Sequence, residues 1–543
     1  RASLAFLEME MTGVTLDFER VEALSRNFIN VRNILLRDFR EKISWPNFNP
    51  ESSLQCAAFL FGGRFAYKRT NAGLQPIPPD GAFLCNFTPV KTTGKRSKDW
   101  QWVIDNNEED NWQPSCDKEV LGILGHGNEL QNKLAMQLRD IKFLSQALKH
   151  VLRPPAVDSS GVVTLDDSGR PVFSAGLASY VQADGKLHTR LSQLKETGRA
   201  SSAAPPLQNL SKRREDDFVR IMGALDDDGK PYGDYVDVLQ GAFYMYPIRT
   251  ILRASPGYVL VEADLQGAEL AVLAWLSGDT VMADHVERNK LPEGDPNHYD
   301  IHSRMAVEAF QLSCPPTKTG LKQAGRKGLR VAAKNVIFGI PYGRQAPAIA
   351  RQCREEGVNI DVDDTQKLID MYFTKYPNTI EFIKECQRRA ENPRWLTTAF
   401  LRIRRFMHTT DKAVLGEQQR QAQNAPIQGS VADAISRACD NLWCYRERDR
   451  LMSSDPVDFK MLLQIHDAIL FEVRIAHLRR FIEEVLPECM VRGVPVLPRR
   501  LDGTLPAGAQ PHYFGIDVTI YSNWGEKIDE ATAKQLGIDL ALI

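Results

Sequence analysis

Two aspartates stand where an acidic side chain could hold a cation. Asp264 closes the apolar run 258–263 and precedes a helical pattern over 268–276. A carboxylate leaving the end of a buried strand is placed to bind a hard divalent cation, the alternative being a helix cap, a common role for Asp. Asp467 follows His466 between the runs 460–465 and 468–473, a pattern of two strands joined by a tight turn. A turn aspartate with no chemical role is the alternative there. Two such carboxylates on neighbouring strands are what two-metal phosphoryl transfer requires, with cations ~3.5–4 Å apart, and together they favour that chemistry over either alternative.

A cationic stretch lies between them. Lys318, Lys322, Arg326, Lys327, Arg330, Lys334, Arg344 and Arg351 are met by no Asp or Glu from 318 to 351. Arg330, Lys334, Phe338 and Tyr342 step by four, so a helix sets two cations and two rings along one face. Cations hold a triphosphate while rings stack on base and sugar; a solvated face normally mixes both signs. Two further basic stretches, Lys186 to Arg214 and Arg388 to Arg405, suit contact with a phosphate backbone. No G-x-x-x-x-G-K-[ST] loop is present, which argues against an ATP-driven motor.

The elements that must position these groups fit a large globular chain. Its 543 residues allow about three domains. Apolar residues make up 43% and charged residues 25%, which excludes a disordered or fibrous protein, and no apolar run reaches the ~18 residues of a membrane span. Lys and Arg number 68 against 69 Asp and Glu, so attraction to nucleic acid must come from local clusters. Nine scattered cysteines without a C-x-x-C pair fit reduced thiols rather than a disulfide framework or zinc site. The first residues, Arg1-Ala2-Ser3-Leu4, lack an initiator Met and a leader pattern, and read as a trimmed N-terminus.

Periodicity predicts a helical hairpin over 1–60, interrupted at Thr12-Gly13. Residues 62–116 read as an exposed, mobile excursion with a basic run at Lys91, Lys95, Arg96 and Lys98. One helix is expected over 116–151, ended by Pro154-Pro155, then short strands including 161–165. Residues 321–354 read as a long helix disturbed at Gly339 and Pro341.

These residues closely resemble the polymerase region of family A DNA polymerases, the group of bacterial DNA polymerase I and its phage relatives, over nearly the whole chain. Leu7-Glu-Met-Glu-Met-Thr-Gly13 and Asn47-Phe-Asn-Pro50 with Ser53 and Gln55 resemble thumb elements. Thr197-Gly-Arg199 and Leu207-Gln-Asn209 resemble the palm motif that touches primer and template. Asp264 to Glu269, Arg330 to Gly343 and Gln464 to Glu472 resemble motifs A, B and C in that order. The resemblance implies an α+β right-hand fold: a helical thumb at 1–155, an antiparallel-sheet palm at 156–265 and 416–543, and helical fingers at 266–415.

It further implies that Asp264, Asp467 and the backbone carbonyl of Leu265 bind two Mg²⁺, with Mn²⁺ as a substitute. Arg330, Lys334 and His302 would hold the incoming triphosphate, Lys334 also donating a proton to pyrophosphate, with Gln266 at the nucleotide site. Phe338 would lie against the sugar, Glu269 would exclude a 2′-hydroxyl, and Tyr342 would stack near the templating base. Arg199, Asn209, Arg420, Asn424, Gln428 and His466 would contact primer–template DNA, and the fingers helix, 326–343, would swing inward on a correct pair. The implied partners are DNA and dNTPs, with no membrane and no identifiable processivity factor, for a monomer in the cytoplasm of a bacterial or phage-infected cell. The family's upstream exonuclease needs an Asp-x-Glu pair before the thumb, so no proofreading is expected within this chain.

Three departures stand out: Leu265-Gln-Gly-Ala268 in place of Tyr-Ser-Gln-Ile, Ala271 in place of Arg, and Ala468 in place of Glu. Residues 213–246 read as an insertion. The rival readings are a single-subunit RNA polymerase of the same palm type, against which Glu269 and Phe338 speak, and a nucleic-acid-binding scaffold, against which the retained Asp264, Asp467, Arg330 and Lys334 speak.

Overall fold

The computed structural model describes residues 2–62, 67–70, 73–76, 78–90, 92–96, 112–210 and 247–542, except 126, 128, 161, 166–168, 170, 293 and 357. An eight-stranded sheet organises them. Its order runs Phe459–Ile465, Ala468–Arg474, Tyr258–Leu265, Ile516–Asn523, Leu252–Arg253, Val14–Leu16 and Lys186–Leu187, with Glu526–Lys527 added on Ile516–Asn523. Every pairing in it is antiparallel.

The strand Tyr258–Leu265 is central because both of its faces are apolar. Val259, Val261, Ala263 and Leu265 enter one core, while Leu260 enters a second core on the other face. That alternation is the period of an extended chain, and burial on both sides explains the continuous apolar run. Glu262 shares the Leu260 face, and the Trp524 indole N–H donates to its Oε2 at 2.7 Å. The Arg249 guanidinium lies 4.1 Å from the Trp524 ring centroid, and burial lowers the pKa of that guanidinium. Replacing Trp524 by Phe keeps an aromatic ring but removes one donor from a buried carboxylate together with part of a fully buried side chain. A loss of about 2 kcal/mol in urea unfolding is expected; a variant as stable as the parent would show the bond to be energetically idle.

The second core joins that sheet face to the helices Phe18–Lys42 and Leu130–His150, which pack on each other as the thumb. The first core joins the other face to the helices that form the fingers and to the long helix Lys412–Met452. The right-hand α+β architecture is therefore one sheet with a helical pack on each face.

Several local expectations are corrected. No helical hairpin forms at the start: Ala2–Thr12 packs on Lys412–Met452 and on Phe459–Ile465, and Val14–Leu16 enters the sheet. Gly13 makes the break, with φ 64° and a position where a Cβ would lie 2.8 Å from the His188 ring. The helix expected over 116–151 is two, Lys118–Leu124 and Leu130–His150, parted at Gly125. The excursion after Phe61 contains two strand pairs, Tyr67–Thr70 with Gly73–Pro76 and Thr92–Arg96 with Trp112–Pro114. Between them Phe83, Cys85 and Phe87 donate their N–H groups to the carbonyls of Ile43, Phe59 and Leu60, so this stretch is tied to the thumb. Lys91 and Lys98 lie outside the described residues, as does 213–246. Residues 318–355 form three helices, Lys318–Gln323, Lys327–Gly339 and Ala346–Glu355, separated at Gly325 and Gly343. The strand expected at 161–165 amounts to isolated bridges, Val157 with Val163 and Leu165 with Pro171. All nine cysteines are free thiols, and no described helix is long and apolar enough to cross a membrane.

Candidate active site

Motif A is a strand-to-helix turn. Tyr258–Leu265 ends in Gln266 and Gly267, and Gly267, at φ 54°, caps the helix Ala268–Ser277. Asp264 is thus a strand residue and not the cap of that helix. It stands opposite Ala468 on one neighbour and Asp517 on the other. Motif C is a two-residue turn, closed by pairing of Ile465 with Ala468, in which His466 adopts φ 55°. The Leu265 N–H donates to the Asp467 carbonyl at 3.1 Å, which fastens the turn to the end of the motif A strand. The two predicted metal-binding aspartates therefore sit at the same end of adjacent strands, both partly exposed. Among the described residues no group of three or more His, Cys, Asp or Glu has metal-binding geometry. Two carboxylates nevertheless suit Mg²⁺, which commonly takes one or two from the protein and fills its shell with substrate phosphates and water.

The helix Lys327–Gly339 buries Ala332, Ala333, Val336 and Ile337 and leaves Lys334 exposed. The Lys334 ammonium lies 5.9 Å from the Phe338 ring centroid. Arg330 donates from Nε to Asp300 at 2.9 Å and to the Ser303 hydroxyl at 3.0 Å. Asp300 in turn caps the helix Ile301–Ala309 by accepting from the N–H groups of His302 and Ser303. That contact explains how His302 comes to the same place: its ring is 5.8 Å from that of Phe338.

His302 is held neutral. Burial first, and then the Arg330 charge, push its pKa from 6.5 down to about 3, and its Nδ1 is buried without a hydrogen bond. The folded state resists protonation that the unfolded chain accepts, so the unfolded chain binds more protons between about pH 6.5 and 3. Stability therefore falls as pH is lowered through that window. His302→Phe is expected to flatten the acid limb of a urea-midpoint profile, and an unchanged slope would remove His302 as its source.

Glu269, in the first turn after motif A, links the other motifs. It pairs with Arg199, and the Tyr342 hydroxyl donates to its Oε2 at 2.8 Å. Gln428, from the helix Lys412–Met452, donates to the same Tyr342 oxygen. Burial and then the Glu269 charge raise the Tyr342 pKa to about 12, so the phenol keeps its proton. Two residues predicted at the nucleotide and two predicted at the DNA thus form one connected network.

The remaining predicted residues lie around it. Gln266 donates to Asp517. Arg420 is exposed and pairs with Glu417 at 2.6 Å, and Asn424 has a buried Oδ1 without a partner, both on Lys412–Met452. Desolvation first, then the Arg199 charge, lower the pKa of His466. Asn209 ends the short helical turn Leu207–Asn209, whose Gln208 donates to the Gln464 carbonyl at 2.7 Å.

Sequence reasoning missed three residues here. Gln208 ties its turn to motif C, and Asp517 faces Asp264 across the sheet. Arg402 donates to the carbonyls of Thr197 at 2.7 Å and Gly429 at 2.8 Å and ion-pairs with Asp433. Gly198, at φ 75°, lets it in: a Cβ there would lie 1.5 Å from the guanidinium. The glycine in Thr197-Gly-Arg199 was the available signal. The Arg388 to Arg405 stretch, expected on phosphates, is largely engaged within the protein. Arg388 and Arg389 meet Glu385, and Arg404 meets Glu196.

A sheet that brings Asp264 and Asp467 to one end, with a helical pack on each face and the cationic helix Lys327–Gly339 among them, is the arrangement expected of a palm-type fold. The family model for DNA polymerase family A matches residues 170–498, and the chain belongs to that family. It is 28% identical over 337 residues to DNA polymerase I of Streptococcus pneumoniae, a match covering 61% of this chain and 32% of that one. DNA polymerase I of Geobacillus stearothermophilus is 27% identical over 331 residues, covering 60% of this chain and 32% of the relative. The matched regions span about a third of these relatives' length. Among solved structures, the POL domain of Pol1 from M. smegmatis, in complex with DNA primer-template and dNTP, superposes with a TM-score of 0.64. That match covers 96% of this chain and 69% of the other, at 21% identity, and shows the shared fold.

Proposed function

We propose that the chain is a template-directed DNA polymerase that adds deoxynucleotides to a primer 3′ end and releases pyrophosphate. The observation that carries this reading is the bond from the Leu265 N–H to the Asp467 carbonyl, which brings the motif A and motif C aspartates to one place. Family membership and the primer-template and dNTP bound to the M. smegmatis domain support it.

Asp264, Asp467 and the carbonyl of Leu265 would hold two Mg²⁺ ions, or Mn²⁺ in their place, supplying charge neutralisation at the transferring phosphoryl group. Lys334, exposed on the fingers helix, binds the triphosphate and hands a proton to the leaving pyrophosphate. Arg330 shares the anion, exchanging part of its Asp300 contact for phosphate oxygens. Neutral His302 offers an uncharged N–H beside them. Phe338 packs on the sugar, and Tyr342 stacks by the templating base. Arg199, Asn209, Arg420, Asn424, Gln428 and His466 line the path of primer and template, with Gln266 at the nucleotide. The bacterial relatives support a setting in the cytoplasm of a bacterial or phage-infected cell.

Primer extension with Mg²⁺ over all dNTPs and rNTPs tests the proposal. Absence of extension by the wild-type chain overturns it, and efficient rNTP use would favour an RNA polymerase. Glu269 selects the sugar, because a 2′-hydroxyl set against a side chain already bonded to Arg199 and Tyr342 would be buried without a partner. Glu269→Ala is therefore expected to lower the dNTP-to-rNTP preference by roughly 10²-fold. A preference matching the wild type would assign selection elsewhere.

A further inference from the structure

Asp517 stands directly opposite Asp264 where Ile516–Asn523 pairs with Tyr258–Leu265, so both carboxylates project from one face of the sheet. Like charges set across a strand pair are unfavourable without a compensating partner. Asp517 has one in Gln266, whose side-chain amide donates to it and whose backbone N–H donates to the Gly515 carbonyl at 2.9 Å. That amide packs so closely that a Cβ on Gly515 would lie 2.1 Å from its Oε1. Gln266 is therefore held at two points just before the chain turns through the left-handed Gly267 into the helix Ala268–Ser277. The same segment grips that helix near its other end, where the His512 ring stacks on Trp275 at 5.1 Å and the Phe514 ring lies 5.0 Å from it.

This clamp has a direction. In a trans peptide the C=O points opposite to the N–H, and the 265–266 peptide is trans. Its N–H faces Gly515 on one neighbouring strand, so its C=O, that of Leu265, faces the other neighbour, where the Leu265 N–H already meets the Asp467 carbonyl. We propose that Asp517 is a positioning residue for nucleotidyl transfer: through Gln266 it fixes the 265–266 peptide so that the Leu265 carbonyl is presented toward Asp467, and it acts by accepting a hydrogen bond rather than by its charge. The inference rests on the polymerase reading, which gives that carbonyl its place among the cation ligands. It also accounts for an acid kept directly across from Asp264.

Three variants of the whole chain test this. Asp517→Ala removes the acceptor, Asp517→Asn keeps an acceptor oxygen without the charge, and Gly515→Ala keeps the charge but displaces the Gln266 amide. Hydrogen exchange read by mass spectrometry over residues 264–268 reports the clamp, and Mn²⁺ binding to the chain with primer–template, read by electron paramagnetic resonance, reports the cation site. Asp517→Ala and Gly515→Ala are each expected to exchange roughly tenfold faster at the turn and to bind Mn²⁺ roughly tenfold more weakly, the effect of losing one charge-assisted hydrogen bond. Asp517→Asn should stay within about threefold of wild type in both. A defect in Asp517→Asn as large as in Asp517→Ala, with Gly515→Ala normal, makes Asp517 a charge at the cation site and overturns the proposal. Unchanged exchange in Asp517→Ala overturns it too, as does faster exchange with full Mn²⁺ affinity, which confines the clamp to the fold. Failure of the wild type to bind Mn²⁺ and to extend a primer strikes the polymerase reading instead, while exchange still decides whether the clamp exists, so the two failures are distinguishable.

Discussion

Asp467→Asn is expected to lower single-turnover primer extension by roughly 10³-fold while leaving primer–template affinity within about twofold. The substitution preserves shape and removes charge. The backbone bond from the Leu265 N–H to the residue 467 carbonyl is unaffected, as is the pairing of Ile465 with Ala468 that closes the turn. What disappears is the charge of one of the two aspartates proposed to hold the cations, and losing a cation's charge stabilisation there is expected to cost about 4 kcal/mol of barrier height. Asp264→Asn should behave in the same way, since its strand is held on both sides by pairing with Ala468 and Asp517. Anisotropy with the duplex and rapid-quench extension at saturating dNTP separate binding from chemistry. Near-normal extension by either variant would remove the metal assignment, and lost duplex affinity would mean that the aspartates serve the fold.

Lys334→Ala is the second large effect, a fall of roughly 10²–10⁴-fold in the rate of incorporation. Lys334 is exposed on a helix whose opposite face is packed, and Ala is the best helix former, so the variant keeps its fold. The corresponding change at Arg330 is less clean. Arg330 holds Asp300, which caps Ile301–Ala309, so Arg330→Ala loosens a helix as well as a nucleotide contact. The discriminating measurement is the maximal rate across pH for Lys334→Ala and Lys334→Arg. A proton donor leaves a rate defect that saturating dNTP does not repair and a changed pH profile. A defect confined to dNTP affinity would make Lys334 an anion holder only.

The motif A strand was legible because its pattern has one solution. Residues 259–263 are apolar at every position except Glu262, and only burial on both faces of a sheet accommodates that run. The motif C hairpin was legible for a similar reason, two apolar runs with room for only two residues between them. The cationic spacing from Arg330 to Lys334 likewise follows from the helical repeat. Breaks were harder to place. Gly13 and Gly343 each end an element that periodicity alone extends, because a three- or four-residue rhythm continues across a single residue of different backbone conformation.

Charge was the least legible property. Arg388 and Arg389 meet Glu385 within one helical turn of their own helix, whereas the partners of Arg402 and Arg404, Asp433 and Glu196, come from distant segments and are supplied by folding. The sequence by itself determined which residue types exist, their order, and the local periodicities that make strands and helices of them. Only the tertiary structure decided that Glu269 would meet Arg199 and Tyr342, that Gln428 would reach the same phenol, and that Asp264 would face Asp517. The physical reason is that register and side-chain pairing between distant segments are selected by packing of the whole core, whereas periodicity reports only on neighbours along one segment.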